Sequence, residues 1–374
     1  MNGNIRIGSL FGIPFYVNPS WFLVFALVTW IYGGDLARAF PGLPSGTPFV
    51  LGLITALLLF GSVVAHELGH SVVARRQGIG VNSITLFLFG GLASLDKEAE
   101  TPAAAFWVAI AGPLVSLLLF AVALLVGIGT GVSGPLGAIV AVLASVNLAL
   151  AVFNLIPGLP LDGGNVLKAI VWQLTGNPYQ GVKVAGRVGQ VVGGVAIASA
   201  LLPLLLTGRL GNIWNLLIGW FVLSNAGQAA QVARVQEQLD GLTAADAVMT
   251  DSPVVSELVS LREFADQRLL DRGSWRKFLV TNATGQLVGT IELDALRQVP
   301  MAQWSTTPVR ELMQSSAALA TVSADRSLLE VVKLLEEQKL PALPVISENG
   351  VLLGLLEKVS ILGLLQNRAD VQPA

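Results

Sequence analysis

The sequence predicts an α-helical polytopic membrane protein that carries a short membrane-associated β-hairpin and is followed by a soluble α+β module. Three observations predict this. Of the 46 Asp, Glu, Lys and Arg residues, only 15 fall within residues 1–232. Between Thr101 and Leu161 run 61 residues without one charged side chain, whereas about 20 apolar residues suffice to cross a bilayer. From residue 242 onward the chain is rich in charge and repeats itself at a spacing of about 64 residues. The division expected is a membrane domain over 1–232, a linker over 233–241 and a soluble module over 242–374.

Composition narrows the function classes. Of 374 residues, 53% are hydrophobic and 12% charged, about half the ~25% usual in soluble domains. A net charge of -2 gives no reason to expect a nucleic-acid partner. With no cysteine, disulfides and thiolate metal sites are excluded.

Six spans are expected: Trp21 to Gly33, Phe49 to Val72, Ala103 to Ile128, Leu136 to Leu155, Gly189 to Leu206 and Ile213 to Ala230. Basic residues collect on one side of this arrangement. Arg6, Arg75, Arg76, Lys97, Lys168, Lys183 and Arg187 stand there, against Arg38 and Arg209 on the other side. The positive-inside rule then makes both termini cytoplasmic; the setting expected for this multi-pass protein is the plasma (inner) membrane. Between the second and third spans, Val81 to Leu95 is β-branched and aromatic and is broken by Gly90-Gly91. It reads as a hairpin, either re-entrant beside a cavity or lying on the cytoplasmic surface.

The chain has two histidines, His66 and His70, four residues apart within the second span. That spacing places both imidazoles on one helix face. With Glu67 between them it is the H-E-x-x-H arrangement, in which two histidines bind Zn²⁺ and the glutamate is the general base. Glu67 is the only acidic residue between Asp35 and Asp96, and a carboxylate in an apolar span is costly unless it has a task. A catalytic zinc takes three protein ligands and keeps one position open. Without a third histidine or a cysteine, the third ligand must be a carboxylate. Asp35 belongs to the far side of the membrane, and Asp96, Glu98 and Glu100 read as a solvated loop. Asp162, at the end of the charge-free run in Asn154-Leu-Ile-Pro-Gly-Leu-Pro-Leu-Asp-Gly-Gly164, remains. Its prolines and glycines stop the helix and can turn a carboxylate sideways. The alternative use of Asp162 is to cap a following helix.

His66-Glu-Leu-Gly-His70 together with Asn154-x-x-Pro-x-x-Pro-x-Asp-Gly163 resembles the site-2 protease family of intramembrane zinc metalloproteases, in its six-span bacterial form. Ala111-Gly-Pro113 in the third span fits the same pattern. The resemblance implies one zinc per chain on His66, His70 and Asp162. It implies a substrate that is a single-span membrane protein, commonly trimmed beforehand by a site-1-type protease, and an active-site supporting role for Asn154. A helix–helix hydrogen bond is the other use open to Asn154.

In the soluble part Ala247-Val-Met-Thr250 is echoed by Glu311-Leu-Met-Gln314, Phe278-Leu-Val-Thr281 by Leu343-Pro-Val-Ile346, and Gly289-Thr-Ile-Glu292 by Gly354-Leu-Leu-Glu357. Each unit reads helix, strand, strand, helix, and neither buries its apolar face until the two pair. This resembles a tandem CBS domain pair. The resemblance implies regulation by an adenine nucleotide or homodimerisation. Glu292 and Glu357 stand where the nucleotide motif places a hydroxyl, and Ala295 and Ser360 where it places Asp. A ligand-free gating or dimerisation module therefore stays open. Two other classes compete for the whole chain: a divalent-metal transporter, against which stands the absence of repeated membrane halves, and a non-catalytic scaffold that binds membrane helices.

Overall fold

The computed structural model describes residues 3–371 apart from 88–89, 209–210, 250, 271–274 and 316–318. Expectations attached to Leu88, Phe89, Arg209 and Thr250 lie outside the described residues. The chain divides into two compact units, Met1–Arg234 and Val235–Ala374.

In the first unit, strands β1 (Ile5–Leu10) and β2 (Ile13–Val17) precede helices α1 (Pro19–Ala39) and α2 (Thr47–Arg76). Strands β3 (Val81–Phe87) and β4 (Gly90–Leu95) follow, then α3 (Pro102–Thr130), α4 (Gly134–Asn154), α5 (Asp162–Thr175), α6 (Pro178–Thr207) and α7 (Ile213–Leu239). The helix starts have local causes. Asn18, Thr101 and Asn177 accept hydrogen bonds from backbone amides of the first turn, and proline follows each one. These are the residue types that cap a helix N-terminus and open its first turn. Left-handed Gly131, Gly176 and Gly208 stop α3, α5 and α6.

Among the described residues five helices, α1, α2, α3, α4 and α6, are long and apolar enough to cross a membrane. Helix α7 contains the sixth expected span but falls outside that test among the described residues. Asn215, Asn225 and Gln228 interrupt its apolar run. Helix α5 is not one of the six expected spans and corresponds to the helix that the capping alternative placed after Asp162. Its 14 residues are too few to span and form an amphipathic half-helix. The expected linker 233–241 is helical as far as Leu239, which is buried in the core of the second unit.

The hairpin expected over Val81 to Leu95 is half of a larger sheet. The order is β1-β2-β3-β4, with β2 parallel to β3 and the other pairs antiparallel. Ile13, Phe15 and Ile84 form its buried face and pack on Val64 and Leu68 of α2. The sheet is thus seated on the turn of α2 that carries the H-E-x-x-H residues, and β4 is an edge strand.

The helices of this unit meet through small residues. A Cβ on Gly52 would lie 2.7 Å from the backbone nitrogen of Gly33, joining α1 to α2. One on Gly69 would lie 3.0 Å from the carbonyl oxygen of Ala111, joining α2 to α3. Small residues that let backbones approach are the ordinary packing device where lipid, not water, surrounds a bundle.

The second unit holds two similar sheets. The first comprises β5 (Val254–Ser256), β6 (Lys277–Thr281), β7 (Leu287–Glu292) and β8 (Gln314–Ser315), in that order, with α8 (Leu261–Leu270) between β5 and β6. The second comprises β9 (Val322–Ser323), β10 (Ala342–Ile346) and β11 (Leu352–Glu357), with α9 (Leu328–Glu337) between β9 and β10 and α10 (Lys358–Val371) last. In both, the first strand pairs parallel with the second and the second antiparallel with the third. The repeat is present, but its leading segments are exchanged. Val309, Leu312 and Met313 pack in the core of the first sheet with Phe264 and Phe278. Leu242, Ala244 and Ala247 pack in the core of the second with Leu328 and Leu343. Met249 N donates to the Leu355 carbonyl at 3.0 Å, and Leu355 N donates to Ser252 Oγ at 2.8 Å.

Candidate metal centre

Helix α2 presents His66 and His70 one turn apart on the face turned toward α3 and α5. Asp162 arrives from the segment after α4. That segment is folded tightly on itself. A Cβ on Gly163 would lie 2.3 Å from the Leu155 carbonyl oxygen, and one on Gly164 would lie 2.3 Å from the carbonyl carbon of Gly158. Only glycine permits such an approach at both places. Leu159 N donates to the Ala185 carbonyl at 3.1 Å, which ties the loop to α6. Leu161 takes the N-cap position, so Asp162 opens the first turn of α5 rather than capping it. A carboxylate there is favoured by the helix dipole.

The structure brings three of the sequence-selected residues to one point. Asp162 Oδ2 lies 3.1 Å from His66 Nε2 and 3.3 Å from His70 Nε2. The two Nε2 atoms are 3.3 Å apart. The fit to a metal rests on these atoms. A tetrahedral zinc with N and O bonds of about 2.0–2.1 Å sets its donors about 3.3 Å apart. The donor set itself, two imidazoles and one carboxylate, is one used by catalytic zinc with a fourth position open. The second nitrogens support the same reading. His70 Nδ1 donates to the Val108 carbonyl at 2.7 Å. His66 Nδ1 is 2.9 Å from Ser116 Oγ. The carbonyl keeps the His70 proton on Nδ1 and so turns its Nε2 toward His66 Nε2 and the carboxylate, three donor atoms that can share one cation. Among the described residues this is the only group of three such side chains able to hold a metal ion.

Glu67 and Asn154 line the same cavity of about 870 Å³, together with His66, His70 and Asp162. Glu67 packs against the edge strand, where a Cβ on Gly91 would lie 2.4 Å from Glu67 Cγ. Trp172 of α5 and Phe221 and Asn225 of α7 complete other walls. Asn154 stands at the end of α4, on the cavity wall. The interhelical hydrogen bond open to it is made instead by Asn147, two turns earlier, whose Nδ2 donates to Ser62 Oγ at 3.1 Å. Asp35, Asp96, Glu98 and Glu100 stay outside the donor group. Asp35 pairs with Arg38, Lys97 with Glu100 at 2.7 Å, and Glu98 with Lys168 at 3.4 Å.

Sequence reasoning passed over Ser116, Val108 and Asn147, and took Gly91 only as a break in the hairpin. Ser116 and Asn147 are polar residues inside the charge-free run, and that was the available signal. A backbone carbonyl such as Val108 gives none.

A bundle of apolar helices holding H-E-x-x-H and a convergent aspartate around a cavity defines a membrane-embedded, metal-dependent hydrolase. Comparison with known proteins makes the class specific. The model of Peptidase family M50 matches residues 54–136 and 131–197, which contain both histidines, Glu67, Asn154 and Asp162. The CBS domain model matches residues 309–367, within the second repeat. A Synechocystis protein named as a zinc metalloprotease is 56% identical over 369 residues, 99% of this chain and 97% of its own. One from Mycobacterium tuberculosis, named as the zinc metalloprotease Rip3, is 33% identical over 383 residues, 100% of this chain and 95% of its own. The solved site-2 protease of Methanocaldococcus jannaschii is 31% identical, with a TM-score of 0.42, over 61% of this chain and 95% of that one. The chain belongs to Peptidase family M50, the site-2 protease family of zinc metalloproteases.

Proposed function

We propose that the protein is an intramembrane zinc endopeptidase that cleaves a transmembrane helix of a single-span membrane protein. The observation that carries this is the convergence of His66, His70 and Asp162 on one point, with Glu67 in the same cavity and that cavity within a bundle of apolar helices. His66 Nε2, His70 Nε2 and one Asp162 oxygen would hold the metal. When bound, zinc acidifies water and polarises the scissile carbonyl. Glu67 takes the proton of the attacking water and passes it to the leaving amine. Its carboxylate is held in place by the close approach of Gly91. Asn154, on the cavity wall, positions the substrate backbone.

A helix conceals its own amides, so the scissile segment must unwind before it is cut. The edge strand β4 offers unpaired backbone groups beside Glu67, and an unwound segment can add to it as a further strand. In this reading α7 is the sixth span and both termini are cytoplasmic, in the plasma (inner) membrane. The substrate is first trimmed by a site-1-type protease. The tandem CBS pair modulates activity, through homodimerisation or through an adenine nucleotide.

The test incubates the wild-type chain and Glu67→Gln with candidate single-span membrane helices and maps products by mass spectrometry. Cuts within the membrane segment by wild type alone, with zinc retained in Glu67→Gln, are expected. Loss of the general base should slow turnover by about 10²–10⁴-fold. Full activity in Glu67→Gln would remove Glu67 from its role. Unchanged zinc content in Asp162→Ala would remove Asp162 from the ligands.

A further inference from the structure

Helix α3 contributes no candidate ligand, yet it touches the metal centre at three levels. Val108 offers its carbonyl to His70 Nδ1 at 2.7 Å. Ser116, two turns further on and fully buried, places Oγ 2.9 Å from His66 Nδ1. Between them stands Gly112. A Cβ built on Gly112 would lie 2.2 Å from His70 Nε2 and 2.6 Å from His66 Nε2. An ion bound by both nitrogens lies about 2.0–2.1 Å from each. The atom that Gly112 lacks would therefore fill the space between the donors.

We infer that α3 builds the metal centre from its ligand-free side: Ser116 and the Val108 carbonyl are positioning groups for the two imidazoles, and Gly112 keeps open the place of the ion. The physical reasons differ. An imidazole can offer either nitrogen, and it can turn about its side-chain bonds. A partner at Nδ1 holds the ring plane, and a carbonyl there, which can only accept, also selects the tautomer with a free Nε2 lone pair. Val108 does this with a main-chain oxygen, which no substitution of the side chain removes. Ser116 holds the His66 ring with a hydroxyl, which substitution can remove. Gly112 acts by volume alone. Ordinary helix packing does not account for this last point, because the nearest atoms to its missing Cβ are ligand nitrogens and not the backbone of a neighbouring helix. The inference rests on the ligand assignment above, and the two fail differently.

The experiment measures zinc affinity of the full-length protein in detergent, by competition with a chromophoric chelator, and records the visible absorption of the Co²⁺-substituted protein. Ser116→Ala should weaken zinc by about 10–100-fold, as loss of a partner to a metal-bound histidine does elsewhere. Its Co²⁺ bands should shift. Ser116→Thr, which keeps the oxygen, should restore both. Ser62→Ala disturbs a buried serine that touches no ligand and should leave zinc affinity at the wild-type value. Gly112→Ala should lose zinc. Gly127→Ala, on the same helix where a Cβ meets only Val140 at 3.6 Å, should keep it. Wild-type affinity and bands in Ser116→Ala would overturn the positioning role, and one tight zinc in Gly112→Ala would overturn the spacing role. Should Gly112→Ala not be recovered folded, the Ser116 variants alone decide. If the wild-type chain binds no zinc, the ligand assignment itself has failed.

Discussion

The two units of this chain are packed by different rules. In the helices of the first unit the buried residues are mostly Ala56, Ala74, Ala109, Ala111, Ala151, Ala185 and their like, with Gly52, Gly112 and Gly189. The large apolar side chains there point outward, as Leu125, Ile128, Leu205 and Trp220 do. In the second unit the relation is reversed. Phe264, Phe278, Leu328, Leu335 and Leu343 fill the cores, and Thr290 is the only buried polar residue among those described. Water around the second unit makes burial of large apolar surface favourable. Lipid around the first removes that drive and leaves close backbone approach and polar contacts to hold the helices. The first unit can consequently carry buried Ser62, His66, Ser116 and Asn147, and its metal centre draws on that same polar interior.

The comparison predicts opposite sensitivities. Removing atoms should damage the second unit most. Phe278→Ala empties a fully buried site and breaks an edge-on ring contact with Phe264 at 5.2 Å. Substitutions of that kind cost about 3–5 kcal/mol. The full chain should show a lower melting temperature for the second unit, while zinc content stays unchanged. Adding atoms should damage the first unit most. A Cβ on Gly189 would lie 2.2 Å from the Leu159 carbonyl oxygen, in the segment that delivers Asp162. Gly189→Val should destabilise by about 1–3 kcal/mol, the usual cost of overpacking. It should also lower zinc affinity, because the loop cannot move without its aspartate. Comparable tolerance of Gly189→Val and an exposed Gly→Val change would break the contrast.

A smaller effect sharpens it. Asn147→Ala removes the hydrogen bond to Ser62 between α4 and α2. Interhelical hydrogen bonds in membranes average about 0.6 kcal/mol, so a small drop in thermal stability is expected with zinc binding intact. A loss of zinc would place Asn147 in the metal centre after all.

What the sequence made legible follows the same division. His66, His70 and Asp162 stood out because chemistry-bearing residues are rare in the first unit, and a polar group there requires a reason. Strands β1 and β2 were missed because Ile5 to Val17, though apolar and interrupted by Gly8 and Gly12, is short and runs directly into the first span. Helix α5 was legible only as the helix that Asp162 could cap, because it is amphipathic and too short to be a span. Gly112 was noticed within Ala111-Gly-Pro113, but nothing in a sequence separates a glycine that admits an ion from one that admits a neighbouring helix. In the second unit the repeat showed its period through Phe278 and Leu343. Which sheet each leading segment completes depends on pairing between repeats, and similarity between the repeats makes the two choices look alike.

Helix capping supplies the last contrast, and the smallest effect. In the first unit the capping side chains that accept amide hydrogen bonds include Asn18, Thr101, Asn177 and Asn212, none of which titrates. In the second unit Asp246 accepts from Thr243 N at 2.8 Å and from Thr243 Oγ1 at 2.9 Å, closing a capping box. The Thr243 amide, and then its hydroxyl, hold the Asp246 carboxyl below its ordinary value. A group whose pKa is depressed by folding stabilises the fold above its unfolded value and ceases to do so as pH falls through the folded one. The contribution of Asp246 should therefore be complete at neutral pH and fade below about pH 4, near the unfolded aspartate value. Asp246→Asn should lower the melting temperature of the second unit slightly at pH 7, and its difference from wild type should close as the pH is taken below that point. A difference that stayed constant down to pH 3 would mean that the box works through geometry alone, since asparagine would then be failing for a reason other than charge.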